Sequence, residues 1–299
     1  MNNKDYSQRF IFENLDIRGE FVHLEHSYQT ILSKSEYPEV IQRLLGELVC
    51  ASVLLSSLLK YEGRLAIHAQ SEGPVRLLLA ECSDKNGIRA IAHYDENKIN
   101  SLDNNVSLDS LIGDGKLSIM IQPAKGKQYQ GVVPLNGNTL AECLQTYFEQ
   151  SEQLPTRIYL AADQQKAGGL LLQRLPETNN NINEEANGQW QHITTLASTT
   201  RSHELTELSA DSLLSRLFVE EEIRAFEPQV VQFQCRCSRE KTQLALSAME
   251  YSELDDIIRE KGCISVDCQF CTTRYEFTRN DVEQMTNPST AQNQAGTLH

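Results

Sequence analysis

Four cysteines near the C-terminal end are the side chains whose type and spacing could do chemistry. They are Cys235-Arg236-Cys237, then thirty intervening residues, then Cys268-Gln269-Phe270-Cys271. Two short cysteine pairs held apart by a loop of that length can place four sulfurs around one tetrahedral ion. Zinc is the ion this donor set suits best, because an all-thiolate tetrahedron asks for a thiophilic cation with no geometric demand of its own. One zinc ion per chain is therefore expected in the reduced state. A closed four-cysteine site has no open position for catalysis, so the plain expectation is a structural clip. The sharper expectation is a redox switch. A metal-bound sulfur is a thiolate at neutral pH, and the thiolate is the form oxidants attack. Pairing within each short motif would consume all four ligands and eject the metal. Cys268 and Cys271 have the spacing of a redox motif, whereas Cys235 and Cys237 would close a small, strained but reachable ring.

The remaining candidates read as structural. Cys50, Cys82 and Cys143 suit packed thiols, and Cys263, five residues before Cys268, does not fit the ligand pattern. His23, His26, His68, His93, His192 and His203 are scattered without metal-like spacing. Gly113-Asp114-Gly115-Lys116 lacks the earlier glycine and the following Ser or Thr of a phosphate loop and reads as a turn. There is no Gly-x-Ser-x-Gly, no dinucleotide fingerprint and no His-Glu-x-x-His, so a binding protein is expected and not an enzyme.

The elements that must position the cysteines begin near Phe226-Glu227-Pro228, and a zinc-binding module is expected over 231–287. Leu246, Met249, Leu254, Ile257 and Ile258 supply a modest core. A module of about sixty residues rarely stands on such a core alone. Metal binding adds roughly 10–16 kcal/mol of apparent folding free energy in small zinc peptides, so this module is expected to fold with zinc and unfold without it. Residues 288–299 are polar and expected to be disordered.

Upstream, residues 1–176 read as an α+β core domain of mixed strands and helices. Short apolar or alternating runs at Phe21–Leu24, Leu65–His68, Val75–Cys82, Ile88–Tyr94 and Leu117–Ile121 predict strands, with glycines between them. Ile41, Leu44, Leu45, Leu48, Ser52, Leu55 and Leu59 recur at helical spacing, with Pro38 near the first turn. A second helix is expected from Thr139 to Gln150, and strands over Thr156–Ala162 and Gly169–Leu175. Residues 177–230 read as a linker. It opens on an asparagine-rich stretch and continues as short helices with stripes at Trp190, Ile193 and Ala197, then at Leu213, Leu214, Leu217 and Phe218. Helices this short are marginal in water and must lean on a neighbour.

The formal net charge of −14 argues against nucleic acid or an anionic membrane as the main partner. Residues 231–299 themselves carry seven basic and ten acidic side chains, which weighs against a nucleic-acid-binding zinc ribbon. No stretch reaches membrane-spanning length; the most apolar run, Leu48 to Leu59, contains three serines and reads as a buried helix. The polar Met1–Asp5 start, without a signal-peptide core, points to the cytoplasm.

Several blocks along nearly the whole chain resemble one family, the bacterial redox-regulated holdase chaperones called heat-shock protein 33. They are Arg9-Phe10-Ile11-Phe12-Glu13-Asn14, Arg18-Gly19-Glu20, Tyr129-Gln130-Gly131-Val132-Val133, Tyr147-Phe148, Ser151 to Arg157, Ala167 to Gln173, and Cys235-Arg236-Cys237-Ser238-Arg239-Glu240 with Cys268-Gln269-Phe270-Cys271. The resemblance implies a reduced, zinc-bound, inactive form. It further implies that oxidants would convert the ligands to Cys235–Cys237 and Cys268–Cys271 disulfides, that the metal would be released, and that the zinc module with its adjoining linker helices would lose order. The family also implies binding of unfolded clients, a homodimer on activation, hand-off to ATP-dependent foldases, and no ATP use by the holdase. For client contact, the linker stripe Ile193, Leu196, Leu213, Leu214, Leu217 and Phe218 is the expectation drawn from this sequence. Two other classes compete. A thiol–disulfide oxidoreductase using Cys268 and Cys271 would need the pair at a helix start in a βαβ setting. A constitutive zinc ribbon would bind its partner regardless of oxidant.

Overall fold

The computed structural model describes residues 4–58, 62–102, 106–176 and 184–286. Leu59, most of the asparagine-rich stretch and the expected disordered tail 288–299 lie outside the described residues. In chain order the elements are β1 (Tyr6–Phe12), β2 (Ile17–Leu24), α1 (His26–Leu32), α2 (Glu39–Ser57), β3 (Gly63–Gln70), β4 (Val75–Ser83), β5 (Gly87–Tyr94), α3 (Glu96–Asn100), α4 (Leu108–Ile112), β6 (Lys116–Pro123), β7 (Tyr129–Pro134), α5 (Leu140–Tyr147), β8 (Thr156–Ala162) and β9 (Ala167–Arg174). They continue as α6 (Glu184–Ala197), α7 (Ser202–Glu207), α8 (Ala210–Leu217), β10 (Ile223–Ala225), β11 (Gln229–Val230), β12 (Gln232–Phe233), α9 (Arg239–Leu246), α10 (Tyr251–Lys261), β13 (Ile264–Asp267), β14 (Arg274–Phe277) and α11 (Arg279–Thr286). The chain divides into two compact units, residues 1–234 and 235–299.

The first unit is α+β. One sheet runs β10-β1-β2-β9-β8, with β11 also pairing β1; the other runs β12-β5-β4-β3-β6-β7. Pairing is antiparallel except where β12 lies parallel to β5. Helix α2 packs against both sheets. Its buried positions include Ile41, Leu44, Leu45, Leu48, Ser52 and Leu55, the stripe read from the sequence. Both sheets converge on it because it is apolar around most of its circumference, which only a helix enclosed by protein tolerates. Among the described residues it is the one helix long and apolar enough to cross a membrane, and it lies mostly buried in this core. Helix α1 has no capping side chain of its own; the buried carboxylate of Asp5 accepts from the Glu25, His26 and Ser27 amides instead.

Strand β9 explains a pattern that alternation alone would miss. Leu171 faces the α2 core, while Leu170 and Leu172 join a second core with Phe10, Phe12 and Phe21. The strand is covered on both sides and therefore reads as a continuous apolar run. The second core is closed by α6, α7 and α8, which contribute Ile193, Ala197, Leu205, Ala210, Leu213, Leu214, Leu217 and Phe218. The closest approach is at Gly168, where any Cβ would collide with the Leu205 carbonyl oxygen near the end of α7. Polar contacts accompany it: the Ala210 amide donates to the Tyr6 hydroxyl at 3.0 Å, and His23 Nε2 lies 2.9 Å from the Thr206 carbonyl oxygen.

Several elements differ from the sequence expectation. Helix α5 starts where expected, with Thr139 accepting from the Glu142 amide, but widens to a π-helical turn over Phe148–Glu152 and ends on Gln153 at φ 54°. Strand β7 and the short strands β10 to β12 carry too few residues or too many polar ones to announce themselves. In the second unit the core is Leu246, Leu254, Ile258, Ile264, Phe277 and Val282, with Ile257 packed against it. Met249, expected in that core, is 39 % exposed. It sits in the turn between α9 and α10, after the α9 periodicity has ended.

Candidate metal centre

In the second unit one cysteine pair precedes a helix and the other sits in a hairpin turn. Cys235 and Cys237 lie in extended chain just before α9, whose first turn is capped by Ser238: its Oγ accepts from the Lys241 amide at 3.3 Å. The cap fixes where the helix starts and so where the preceding cysteine pair points. Cys268 and Cys271 lie in the turn that joins β13 to β14, whose pairing runs from Ile264↔Phe277 to Asp267↔Arg274. That turn is closed by Thr272 N–H donating to the Cys268 carbonyl at 2.7 Å and Cys268 N–H donating to the Thr273 carbonyl at 2.9 Å. Thr272 takes φ 60°, a left-handed conformation that costs a β-branched residue energy. The pair therefore occupies a hairpin turn, not the helix start that the oxidoreductase reading needs.

The four Sγ atoms all lie within 4.8 Å of one another. The separations across the two motifs are 3.6 Å for Cys235–Cys268 and 3.3 Å for Cys237–Cys271. Each cysteine is half-buried. Four converging sulfurs, with neither carboxylate nor imidazole among them, are the donor set of a closed tetrahedral thiophilic site, and zinc fits it. Burial pushes the Cys237 thiol up to about 12 and raises Cys268 as well. At Cys271 burial is outweighed by hydrogen bonds from Thr273, Cys237 and Cys235, which bring it down to about 6. A metal ion bound among the four would hold its ligands as thiolates outright.

Residues around the sulfurs that the spacing alone could not reveal are Tyr275 and Thr273. The Tyr275 hydroxyl donates to Cys237 Sγ at 3.1 Å, and Thr273 Oγ1 lies 3.2 Å from Cys271 Sγ. Such contacts orient thiolate ligands and temper their reactivity. The only hint in the sequence is their place just after Cys271, Thr273 in the turn and Tyr275 on the strand that follows it. Arg239 binds the unit together: it lies over the Phe277 ring at 4.4 Å, donates to the Glu276 carbonyl and pairs with Asp281 at 3.0 Å. Asp255, nearly buried, pairs with Arg259 at 2.7 Å and Arg279 at 2.6 Å. Cys263 lies outside the four-sulfur cluster, its Sγ 3.8 Å from Ser265 Oγ. Cys50, Cys82 and Cys143 are buried in the first unit.

The stripe expected to meet clients is covered. Ile193, Leu213, Leu214, Leu217 and Phe218 are buried in the second core of the first unit, and Leu196 is packed against it.

The whole-chain comparisons agree with this architecture. The family model described as Hsp33 protein matches residues 5–278. The 33 kDa chaperonin of Pseudomonas aeruginosa (strain LESB58) is 43 % identical over 300 residues, covering 100 % of both chains. That of Ectopseudomonas mendocina is 44 % identical over 282 residues, covering 94 % of this chain and 95 % of the relative. The crystal structure of the 33 kDa chaperonin from Thermotoga maritima, a heat shock protein 33 homolog, superposes with a TM-score of 0.78 at 22 % identity, over 96 % of this chain and 99 % of that one. With its α+β first unit, its four converging cysteines and full-length relatives named as chaperonins, this chain belongs to the Hsp33 family of chaperones.

Proposed function

We propose that this chaperone is a redox-regulated holdase, inactive when reduced and zinc-bound and active once its four cysteines are oxidised. The observation that carries the reading is the cluster of four Sγ atoms within 4.8 Å, in a unit whose apolar core is six buried side chains. A zinc ion held by Cys235, Cys237, Cys268 and Cys271 would supply the cross-link and folding energy that so small a core lacks. Oxidation to Cys235–Cys237 and Cys268–Cys271 disulfides passes four electrons to the oxidant. The sulfurs can then no longer act as metal ligands, and the zinc module loses order. The adjoining helices α6 to α8, too short to persist alone, leave the sheet and expose Ile193, Leu196, Leu213, Leu214, Leu217 and Phe218 to unfolded clients. In this reading clients are held without ATP by an activated homodimer in the cytoplasm and passed to ATP-dependent foldases after reduction. The domain division that goes with it is a core domain over 1–176, a linker over 177–230, a redox module over 231–287 and a tail over 288–299.

The test follows aggregation of a heat-unfolded client by light scattering, with reduced zinc-loaded protein and with the same sample after oxidant at elevated temperature. Zinc release is recorded in parallel. Suppression by the oxidised sample alone, together with metal loss, is the expected result. Equal suppression in both states, with zinc retained, would reduce the cysteines to a structural clip. Catalytic turnover of insulin disulfides would favour an oxidoreductase instead.

A further inference from the structure

Arg18 opens onto a cavity that has no part in the redox cycle proposed above. The cavity lies in the first unit, has a volume of about 100 Å³ and is open on one side. Leu55, Leu65, Ile119 and Phe148 contribute apolar walls, Arg18 and Gln173 are polar lining residues, and the exposed Glu152 lines it as well. The Arg18 guanidinium donates from Nε and Nη2 to the single Gln173 Oε1, at 3.1 and 2.5 Å. Gln173 is itself 1 % exposed, and its Nε2 donates to Thr156 Oγ1 at 3.0 Å. The Thr156 hydroxyl in turn donates to the Leu154 carbonyl at 3.0 Å. This relay fixes the amide so that its oxygen faces the guanidinium, which is the preorganisation a recognition site requires.

What the relay leaves out is an anion. Among the described residues Arg18 makes no ion pair within 4 Å, and the neighbouring carboxylate, Glu20, pairs with Arg9 at 3.8 Å. Burial, with Arg9 nearby, pulls the Arg18 pKa down from the ordinary arginine value. The Arg18 guanidinium, half-buried, gives its hydrogen bonds to a neutral amide, and Glu20 acts on it only through space from beyond 4 Å; a carboxylate in the cavity would turn that charge–dipole contact into a pair of opposite charges. The rim provides an independent sign. The π-helical turn Phe148–Glu152 borders the cavity and is followed by left-handed Gln153 at φ 54°. Wide turns and left-handed non-glycine residues are costly and collect at ligand sites. Glu152 lies on the exposed rim, with Tyr147 Oη 3.5 Å from its Oε1.

We propose that this cavity binds a short aliphatic carboxylate, with the carboxylate on Arg18 and the tail against Leu55, Leu65, Ile119 and Phe148. An apolar cavity of about 150 Å³ holds benzene, so the volume of about 100 Å³ here suits a tail of about four to five carbons. The same chemistry has two sources, a free short-chain acid or the C-terminal carboxylate of a peptide ending in an aliphatic residue. The site stands independently of the redox reading.

The test uses reduced, zinc-loaded full-length protein, with hexanoate and hexanamide titrated in parallel by calorimetry or ligand-observed NMR. Saturable hexanoate binding with a Kd on the order of 1 mM or tighter is expected for a ligand of this size. Hexanamide, and hexanoate with R18Q, should bind about tenfold or more weakly, the loss expected for one charge-assisted pair. Zinc content and circular dichroism check that R18Q is folded; if it is not, the acid–amide comparison on the unaltered protein still decides. Absence of saturable hexanoate binding, or equal binding of acid and amide, overturns the proposal. Gly-Gly-Leu with a free or amidated C-terminus then separates the sources. Displacement of hexanoate by the free-acid peptide alone assigns the site to peptide ends, and displacement by neither assigns it to the free acid.

Discussion

At Cys237 the sulfur receives the Tyr275 hydroxyl at 3.1 Å, and the four sulfurs around it are half-buried and not sealed. That combination suits a thiolate that is held at rest yet stays within reach of a small oxidant. Removing the hydroxyl in Tyr275→Phe takes away a donor that draws electron density from the thiolate. Oxidant-driven zinc release, followed with a chromogenic chelator, should accelerate about fivefold, the equivalent of one ordinary hydrogen bond. Cys268→Ser replaces a thiolate by a hydroxyl that is a poor zinc ligand. The variant should lose zinc to a competing chelator at least about tenfold more readily and lose oxidant control of client protection. Full retention of zinc with a normal oxidant response would remove Cys268 from the ligand set.

Glu20 carries a separate consequence. It is 3 % exposed on β2, and its carboxyl is raised to about 7 by burial, against opposing contributions from Ser57, Arg9, Ser7 and Arg18. A folded-state pKa above the unfolded value means that the native state holds the proton more tightly. The stability contribution is therefore fully present below pH ~4.5 and is lost as pH rises through about 7, on the order of 3 kcal/mol at most. Chemical denaturation across this range should show Glu20→Gln flattening that part of the profile. An unchanged slope would mean that the carboxyl titrates normally.

Among the elements, α6 to α8 decide whether the apolar stripe is hidden. Their docking rests on the buried side chains from Ile193 to Phe218 and on the approach of α7 to β9 at Gly168. Burying each large aliphatic side chain contributes roughly 1.5–3 kcal/mol, so three short helices are held by packing and not by their own propensity. Gly168→Val should push α7 off the strand. The reduced, zinc-loaded variant is then expected to show faster hydrogen exchange across α6 to α8 and measurable client protection without oxidant, at a cost of about 1–3 kcal/mol to the first unit. Normal exchange in those helices would show that β9 yields instead.

For the whole molecule, the two units differ in what sustains them. The first has two extensive cores around α2 and over β9; the second has, among the described residues, six buried apolar side chains and the four clustered cysteine sulfurs. On the proposed function, in which only the smaller unit draws folding free energy from a metal, chelation of zinc under reducing conditions should melt residues 235–286 while β1 to β9 and α2 keep their exchange protection. Cooperative loss of both units at one chelator concentration would contradict this division of stability.

The sequence by itself singled out the four cysteines that converge, since Cys-x-Cys and Cys-x-x-Cys mark them by type and spacing. It also determined α2, whose apolar positions recur over five turns, and the strands β3 to β5, β8 and β9, bounded by turn residues. Tertiary structure alone decided the rest. Tyr275 reaches Cys237 because β14 pairs with β13, and the turn between those strands brings Cys268 and Cys271 to Cys235 and Cys237. The linker stripe was legible as amphipathic, but its partner is the outer face of β1, β2 and β9, distant in the chain. Arg18 stood out in the sequence only as part of an Arg-Gly-Glu block shared with the family, and its relay through Gln173 to Thr156 exists only because β2 and β8 both pair with β9. Spacing records which neighbours lie on one element. It cannot record which elements meet, because that is settled by burial summed over the entire core.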